Sequence, residues 1–436
     1  MPPWLVRSVL LPAHERLRGR ATLQELRRLR RDERCEETLQ RLRAEKIRAL
    51  LAHCHSRVPY YRERLAGQHT PELADFPVLE RDAVRAQAER LCAEGFAGDW
   101  LPSSTGGSSG EPLTFWTDRV KETRHNAHKL RFRQWFGVRP GDRQVDFWGS
   151  PIELGKSSRL RRFKDRVLLN QALCSAHDLT PERLDGYCQF LAHYRPHLIY
   201  GYPTVIARVA QQAAADPQRL RGWRPRVVVC TSEMLYPQLR EAIRAGFGAP
   251  VVNEYGSRDG GLTAHECPQG RLHIAAEHVW VEVADADADG VGDLLVTNLD
   301  GWGMPFVRYR VGDRGRLSTE RCPCGSPLPV LDRLEGRRND FLVGGEGRHV
   351  HGSAANYVMR EIPQVLQYRL LQREDRSLDV QVVAAEGWGA EQERAVTEGL
   401  RRVLGEPVPV RLQLVTTIAP SASGKYRWVE SEAMAS

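Results

Sequence analysis

The sequence predicts an α/β protein: a large N-terminal domain built on a mixed or mainly parallel sheet flanked by helices, followed by a small α+β domain. Three observations lead there. Helix-period segments alternate with short apolar, β-branched runs, the pattern of strands joined by helical crossovers. The chain has 436 residues, 41% hydrophobic and 27% charged, a globular composition long enough for two domains. Finally, the pattern becomes shorter and mixed after the polar, compact segment at residues 333–340. No internal repeat or low-complexity segment is visible.

The elements follow in order. Residues from about 31 to 66 read as a long helical region ending in Val58-Pro59-Tyr60-Tyr61-Arg62. Apolar residues at helical spacing predict helices at about 81–94, 119–136, 181–193, 203–215 and 236–246. Between them, Val227-Val228-Val229-Cys230, Val251-Val252-Asn253-Glu254 and Leu294-Leu295-Val296-Thr297 read as strands. Beyond the boundary the prediction is a helix near 353–361, strands near 366–372, 377–384 and 408–415, and a helix near 390–404. The domains are therefore 1–337, with its helical segment over about 1–66, and 338–436.

The formal charge of +8 is largely arginine, concentrated over residues 15–48. Its leucines (Leu23, Leu26, Leu29) keep helical spacing and no stacking aromatics interleave, so the segment reads as a solvated amphipathic face and not as a nucleic-acid site. No apolar run approaches the ~20 residues of a membrane span, and the N-terminal Trp4–Leu11 run is too short for a secretory signal and broken by Arg7. The expectation is a cytoplasmic protein with no nucleic-acid or membrane partner. Of nine cysteines, six (Cys35, Cys54, Cys92, Cys174, Cys188, Cys230) stand singly and read as small packed hydrophobes, with no disulfide framework.

Chemistry concentrates in a few motifs. Residues 103–112 read Ser-Ser-Thr-Gly-Gly-Ser-Ser-Gly-Glu-Pro, with a strand-like exit through Leu113, Phe115 and Trp116. Glycines let backbone N–H groups converge on an anion, and Thr105, Ser108 and Ser109 add hydroxyl donors. The segment lacks the Gly-Lys-Ser/Thr ending of a Walker loop, which excludes that class of nucleotide hydrolase. Glu254-Tyr255-Gly256-Ser257-Arg258-Asp259 follows a strand, where open α/β sheets gather ligands. Arg308-Tyr309-Arg310-Val311-Gly312-Asp313 places a carboxylate after a strand, able to accept two hydrogen bonds from a diol. Ser423-Gly424-Lys425 offers a glycine-preceded lysine near the end of the sequence.

In this order the motifs resemble the adenylate-forming enzymes, specifically the phenylacetate-CoA ligase family with its capsule-biosynthesis and deazaflavin-coenzyme relatives. The resemblance covers nearly the whole chain: Leu42-Arg43-Ala44-Glu45-Lys46 leading to Val58–Arg62, residues 105–112, Tyr200-Gly201-Tyr202-Pro203, Thr231-Ser232-Glu233, Tyr255-Gly256-Ser257, 308–313 and Gly336-Arg337. It implies an AMP-forming acid–thiol ligase, a homodimer, that joins a carboxylic acid to ATP with loss of pyrophosphate and passes the acyl group to coenzyme A. An alternative acceptor is a carrier protein or an amine, or a coenzyme is itself adenylated. The resemblance assigns ATP or AMP to Ser104, Thr105, Gly106, Gly107, Ser108, Ser109, Gly110, Ser232, Glu233, Glu254, Tyr255, Gly256 and Ser257, with Asp313 on the ribose and Arg333 nearby. Lys425 would reach the α-phosphate from a mobile small domain hinged at Arg337 and Asp340. Asp259 stands where the family has a glutamate that binds Mg²⁺.

Trp148, Gly149, Ser150 and Pro151, with Tyr200, Gly201 and Tyr202, are candidates for the acid pocket, because glycine beside aromatics makes a flat slot suited to a benzoate, anthranilate or phenylacetate. Cys267-x5-His273 and Cys322-Pro323-Cys324 offer a Cys3His zinc set, with His265 as an alternative ligand. Two turn cysteines and a surface histidine would give the same pattern.

Overall fold

The structure is a computed structural model that describes the chain except residues 33–34, 105–112, 149–158, 177–178, 338–340, 348, 352–354, 356–357, 360, 406, 420–427 and 434–436. It divides into two compact units, one of Met1–Val311 with Gly315–Arg333, the other of Gly312–Arg314 with Leu334–Ser436.

The larger unit begins with an N-terminal helix made of a short turn, Pro3–Leu5, and a π-helical turn, Val6–Leu10, running into α1 (Leu11–Leu17), then α2 (Thr22–Asp32), α3 (Glu36–Arg57), α4 (Pro59–Arg64) and α5 (Arg81–Ala86). The predicted helix at 31–66 is thus interrupted, at Pro59 because proline cannot continue a helix but starts one well. A hairpin follows, β1 (Trp100–Ser104) and β2 (Thr114–Asp118), then α6 (Arg119–Gln134). Asp118 caps α6 by accepting from the Lys121 N–H at 2.8 Å. Its other oxygen accepts from the Trp302 and Gly303 amides at 2.8 and 3.2 Å, which fixes the helix start to a distant loop.

The alternating core continues through β3 (Gln144–Trp148), α7 (Arg159–Leu168), β4 (Gln171–Ser175), α8 (Pro181–Tyr194), β5 (Leu198–Gly201), α9 (Pro203–Ala214), β6 (Val227–Thr231), α10 (Pro237–Phe247) and β7 (Val251–Ser257). Strands β4, β3, β5, β6 and β7 are parallel neighbours. Every residue of β6 is buried, which accounts for its unbroken Val-Val-Val-Cys-Thr run. Helices α9 and α10 pack so closely that a Cβ on Gly246 would lie 2.2 Å from the Ala210 carbonyl oxygen.

From β7 the sheet turns antiparallel, through β8 (Gly261–Glu266), β9 (Leu272–Ile274), β10 (Val279–Ala284), β11 (Gly292–Asn298), β12 (Tyr309–Leu317) and β13 (Val330–Arg337). The eleven strands run in the order β10-β11-β12-β13-β9-β8-β7-β6-β5-β3-β4. The prediction of a mixed sheet with flanking helices matches this architecture.

The smaller unit holds a short hairpin, β14 (Phe341–Val343) with β15 (His349–His351), and a four-stranded sheet in the order β18-β17-β16-β19. Its strands are β16 (Val365–Gln372), β17 (Leu378–Ala384), β18 (Val410–Leu414) and β19 (Val429–Ser431), with helix α11 (Ala390–Leu404). Val396, Leu400 and Leu404 of α11 pack with Leu370, Val380 and Val382, so this unit has its own core. The predicted helix at 353–361 falls mostly outside the described residues.

Candidate functional site

Three of the sequence motifs meet at the carboxyl-terminal side of the parallel strands. Trp148 ends β3, and Tyr200 and Gly201 end β5; Trp148 stacks on Tyr200 with ring centres 5.8 Å apart and lies 4.6 Å from Tyr202. Gly201 has φ +149°, and a Cβ there would stand 2.2 Å from the Phe147 carbonyl oxygen, so only glycine lets the two strands close beneath these rings. Gly149, Ser150 and Pro151 lie outside the described residues.

The Tyr200 ring is held from below. Its hydroxyl accepts from Lys129 Nζ at 2.6 Å and donates to Glu254 Oε1 at 2.8 Å, and Lys129 lies 3.3 Å from the same carboxylate. Arg133 stacks over the ring, 5.0 Å from its centre. Burial alone would push the Glu254 carboxyl up, but the Lys129 and Arg133 cations hold it down to about 2. Burial lowers Lys129 below its ordinary value and raises Tyr200 well above its own. The second carboxylate oxygen of Glu254 is buried with no hydrogen-bond partner among the described residues.

The segment 254–259 differs from its expected form. It is not a loop after a strand, because pairing with β8 extends β7 through Ser257, and the turn begins at Arg258. In that turn the Gly260 N–H is shared between Ser257 Oγ at 2.9 Å and Asp259 Oδ1 at 3.1 Å. Asp259 Oδ2 accepts from the Tyr309 hydroxyl at 2.8 Å and lies 4.0 Å from Arg81, while the Asp259 carbonyl accepts from Lys121 Nζ at 3.0 Å. Both oxygens keep further lone pairs, so a hard cation is chemically compatible with this carboxylate.

Arg258 donates to the Ser104 carbonyl at 2.9 Å, which brings the root of the glycine-serine segment against this turn. Ser103 and Ser104 belong to β1, and residues 105–110 lie outside the described residues. Ser232 follows β6 with φ +70°, and Glu233 accepts from Thr204 Oγ1 at 2.7 Å and the Thr204 N–H at 3.3 Å, a carboxylate at the start of α9.

Other assignments are placed differently. Asp313 is inside β12 and not after a strand, because β12 continues to Leu317. Arg333 is exposed on β13. The Arg337 side chain, Asp340 and Lys425 lie outside the described residues.

The four zinc candidates do converge. The ligand atoms of Cys267, His273, Cys322 and Cys324 lie within 4.8 Å of one another. Cys267 and Cys322 sulfurs are 3.7 Å apart, and Cys324 Sγ is 3.3 Å from His273 Nε2. A tetrahedron with Zn–S bonds of about 2.3 Å has edges of roughly 3.8 Å, so the set fits. His273 Nδ1 lies 3.0 Å from the Leu328 carbonyl oxygen; an N–H there fixes the tautomer and turns the Nε2 lone pair to the sulfurs. The alternative of a surface histidine fails, since His273 is fully buried. His265 is not in the group but stacks on Phe132 at 5.2 Å, and burial lowers it to about 4.

Sequence reasoning missed helix α6 as a source of site residues. Lys121 and Lys129 hold Asp259, Glu254 and Tyr200, yet the sequence marks 119–136 only as a helix and carries no motif there. Two more of the helix's charges, Arg124 and Arg131, face a second buried network, in which Asp300 accepts from Lys46 and Arg124 at 2.6 Å and lies 2.7 Å from His278 Nδ1, while Arg131 pairs with Glu277 at 2.6 Å.

A family profile described as the CapK C-terminal domain matches residues 342–432. Protein CapK of Staphylococcus aureus is 27% identical over 278 residues, covering 62% of this chain and 60% of CapK, so the chain spans under two thirds of that relative. The phenylacetate–coenzyme A ligase of Thermus thermophilus is 25% identical over 397 residues, covering 85% of this chain and 84% of that protein. A crystal structure of 2-hydroxyisobutyryl-CoA ligase in the postadenylation state, in complex with R3-HIB-AMP, aligns with a TM-score of 0.71 at 18% identity over 92% of this chain and 91% of that one. The chain has the fold of the adenylate-forming CoA ligases, and its sequence relatives include CapK and phenylacetate-CoA ligases.

Proposed function

We propose that this protein is an AMP-forming acid–thiol ligase: it joins a carboxylic acid to ATP, releases pyrophosphate, and passes the acyl group to coenzyme A. The observation that carries this reading is the meeting of the Trp148–Tyr200 stack, the Tyr255–Asp259 segment and the root of the glycine-serine loop on one side of the sheet. Relatives named as phenylacetate-CoA ligases over most of the chain support it.

In this reading the acid lies against Trp148, Tyr200 and Tyr202, whose flat faces favour an aromatic acid. Residues 105–110 with Ser104 hold phosphate oxygens through N–H and hydroxyl donors, and Ser232, Glu233, Tyr255, Gly256 and Ser257 line the nucleotide. Asp313 takes the ribose hydroxyls, with Arg333 nearby. Charge spreads over phosphoryl oxygens as the acid carboxylate attacks the α-phosphorus and pyrophosphate leaves, so the protein supplies positioning and positive charge more than a nucleophile. Lys425 brings that charge from the small domain, which moves about Arg337 and Asp340. Asp259 is the residue to hold Mg²⁺, which would neutralise phosphate charge when bound. Cys267, His273, Cys322 and Cys324 hold a structural zinc.

The test is pyrophosphate release across a panel of aryl and alkyl acids, with and without coenzyme A. Aryl acids giving acyl-CoA support the reading. Turnover indifferent to coenzyme A would replace it with transfer to a carrier protein or amine, or with adenylation of a coenzyme.

A further inference from the structure

The positive charge of the chain is gathered in two segments. Residues 1–31 hold eight arginines against two glutamates, and residues 159–168 hold four arginines and a lysine against one aspartate, a net +6 and +4 in a chain of net +8. The rest of the protein is slightly acidic. The start of the first segment, through His14, adjoins the second in space. Asn170, just past α7, donates to the carbonyl oxygens of Met1 and Gly141 at 3.1 and 2.9 Å. Burial and then the nearby Lys164 of α7 lower His14 of α1.

Large apolar side chains stand out of this basic corner. Trp4 is 65% exposed, Val9 51%, Leu17 87% and, on α7, Phe163 65%. The N-terminal helix is anchored by its opposite side, through buried Val6 and through Arg7, which bonds the Pro140 carbonyl oxygen at 2.8 Å and Asp142 at 3.1 Å. The π-helical turn at Val6–Leu10 adds a residue to one turn, and this shift brings Trp4, Val9 and Leu17 with exposed Arg16 to one side. Single exposed apolar residues are ordinary on a solvated surface, but here four of them share one basic corner. A nucleic-acid site would not need aliphatic side chains, and two such corners of like charge would repel each other in a self-contact.

We propose that this corner docks on an anionic phospholipid surface, with the N-terminal helix in the plane of the interface, Trp4, Leu17 and Phe163 at the headgroup–acyl boundary, and the exposed Arg16 and Arg18 among the lipid phosphates. This departs from the sequence expectation of no membrane partner. It is compatible with the finding that, among the described residues, no helix is long and apolar enough to cross a membrane. It does not depend on the proposed ligase activity.

The experiment is co-sedimentation of the full chain with vesicles of phosphatidylglycerol and phosphatidylcholine, against phosphatidylcholine alone, at low and high salt. Binding to the anionic vesicles, released by salt, is expected. Combined Trp4→Ala, Leu17→Ala and Phe163→Ala should weaken it about tenfold or more, and Arg16→Gln about fivefold, with an unchanged melting transition showing that the fold survives. No binding to anionic vesicles, or equal binding by the triple variant, would overturn the proposal. So would a wild-type dimer that the triple variant converts to monomer, or a short DNA duplex bound in place of the vesicles.

Discussion

Replacing Glu254 by glutamine keeps the shape of the side chain and removes the charge that Lys129 and Tyr200 are arranged around. The cost follows from the carboxyl itself. An ordinary glutamate titrates near 4.5, and here the neighbouring cations hold Glu254 down to about 2 despite its burial, which corresponds to ~3 kcal/mol in favour of the ionised form. Glu254 is only 4% exposed, so little of this is screened away. Because its folded value is depressed, the contribution is complete above pH 4.5 and is lost as the pH falls towards 2. Glu254→Gln should therefore be less stable by ~3 kcal/mol at pH 7, a fall of roughly 5 °C or more in the melting of the larger unit, with the difference shrinking below pH 4.5. Urea unfolding followed at pH 7 and at steps down to pH 3 measures it. An unchanged midpoint at pH 7, or a deficit as large at pH 3 as at pH 7, would refute the account. A Lys129→Met partner substitution should recover part of the loss, since it removes the stranded cation. If Tyr200 forms a wall of the acid pocket, the same variant raises KM for the acid more than it lowers kcat.

Lys425→Ala should abolish adenylate formation yet leave thioester formation from a supplied acyl-adenylate, read by pyrophosphate release and by coenzyme A consumption; equal loss of both steps would remove Lys425 from the chemistry. Zinc analysis of protein made without a histidine tag should give about one equivalent, and Cys322→Ser or His273→Ala should lower both that content and the melting temperature. A zinc content below about half an equivalent in the native protein would count against the site. Gly201→Ala forces a Cβ into the Phe147 carbonyl oxygen and should destabilise the larger unit by ~2 kcal/mol or more, with loss of acid binding; unaltered urea unfolding would show that β3 and β5 can part without cost.

Elements whose boundaries are local signals were legible in the sequence. Helix α8 starts at Pro181, where Thr180 Oγ1 accepts from the Arg183 N–H at 3.3 Å, and β6 announces itself by a buried apolar run; both lie where the spacing predicted. Boundaries set by a partner were not. Tyr255, Gly256 and Ser257 read as lying beyond the strand because β7 continues past Glu254 only through its pairing with β8, and Asp313 read as post-strand because nothing near it in sequence extends β12 to Leu317. Convergence of the cysteines and His273 could be suspected from residue type, but the Leu328 carbonyl that orients the imidazole is 55 residues away.

Helix α6 shows why the supporting half of the site escaped notice. Its sequence, Arg119–Gln134, is rich in lysine, arginine and histidine, and the general rule places such a helix in solvent. Yet Lys121, His128, Arg131 and Arg133 are buried, and the acceptors that make this tolerable come from far along the chain: the Asp259 carbonyl for Lys121, the Glu277 carboxylate for Arg131, and Glu254 with Tyr200 for the half-buried Lys129. Burial of these charges is thus a property of pairs, and the pair exists only once the sheet has formed. The motif residues on β5 and β7 are the readable half, because their types carry chemistry; the residues that hold them in place sit on a helix whose own pattern points outward. Substitutions chosen from the motifs alone would leave Lys121 and Lys129 untouched, although the positions of Asp259, Glu254 and the Tyr200 ring depend on them.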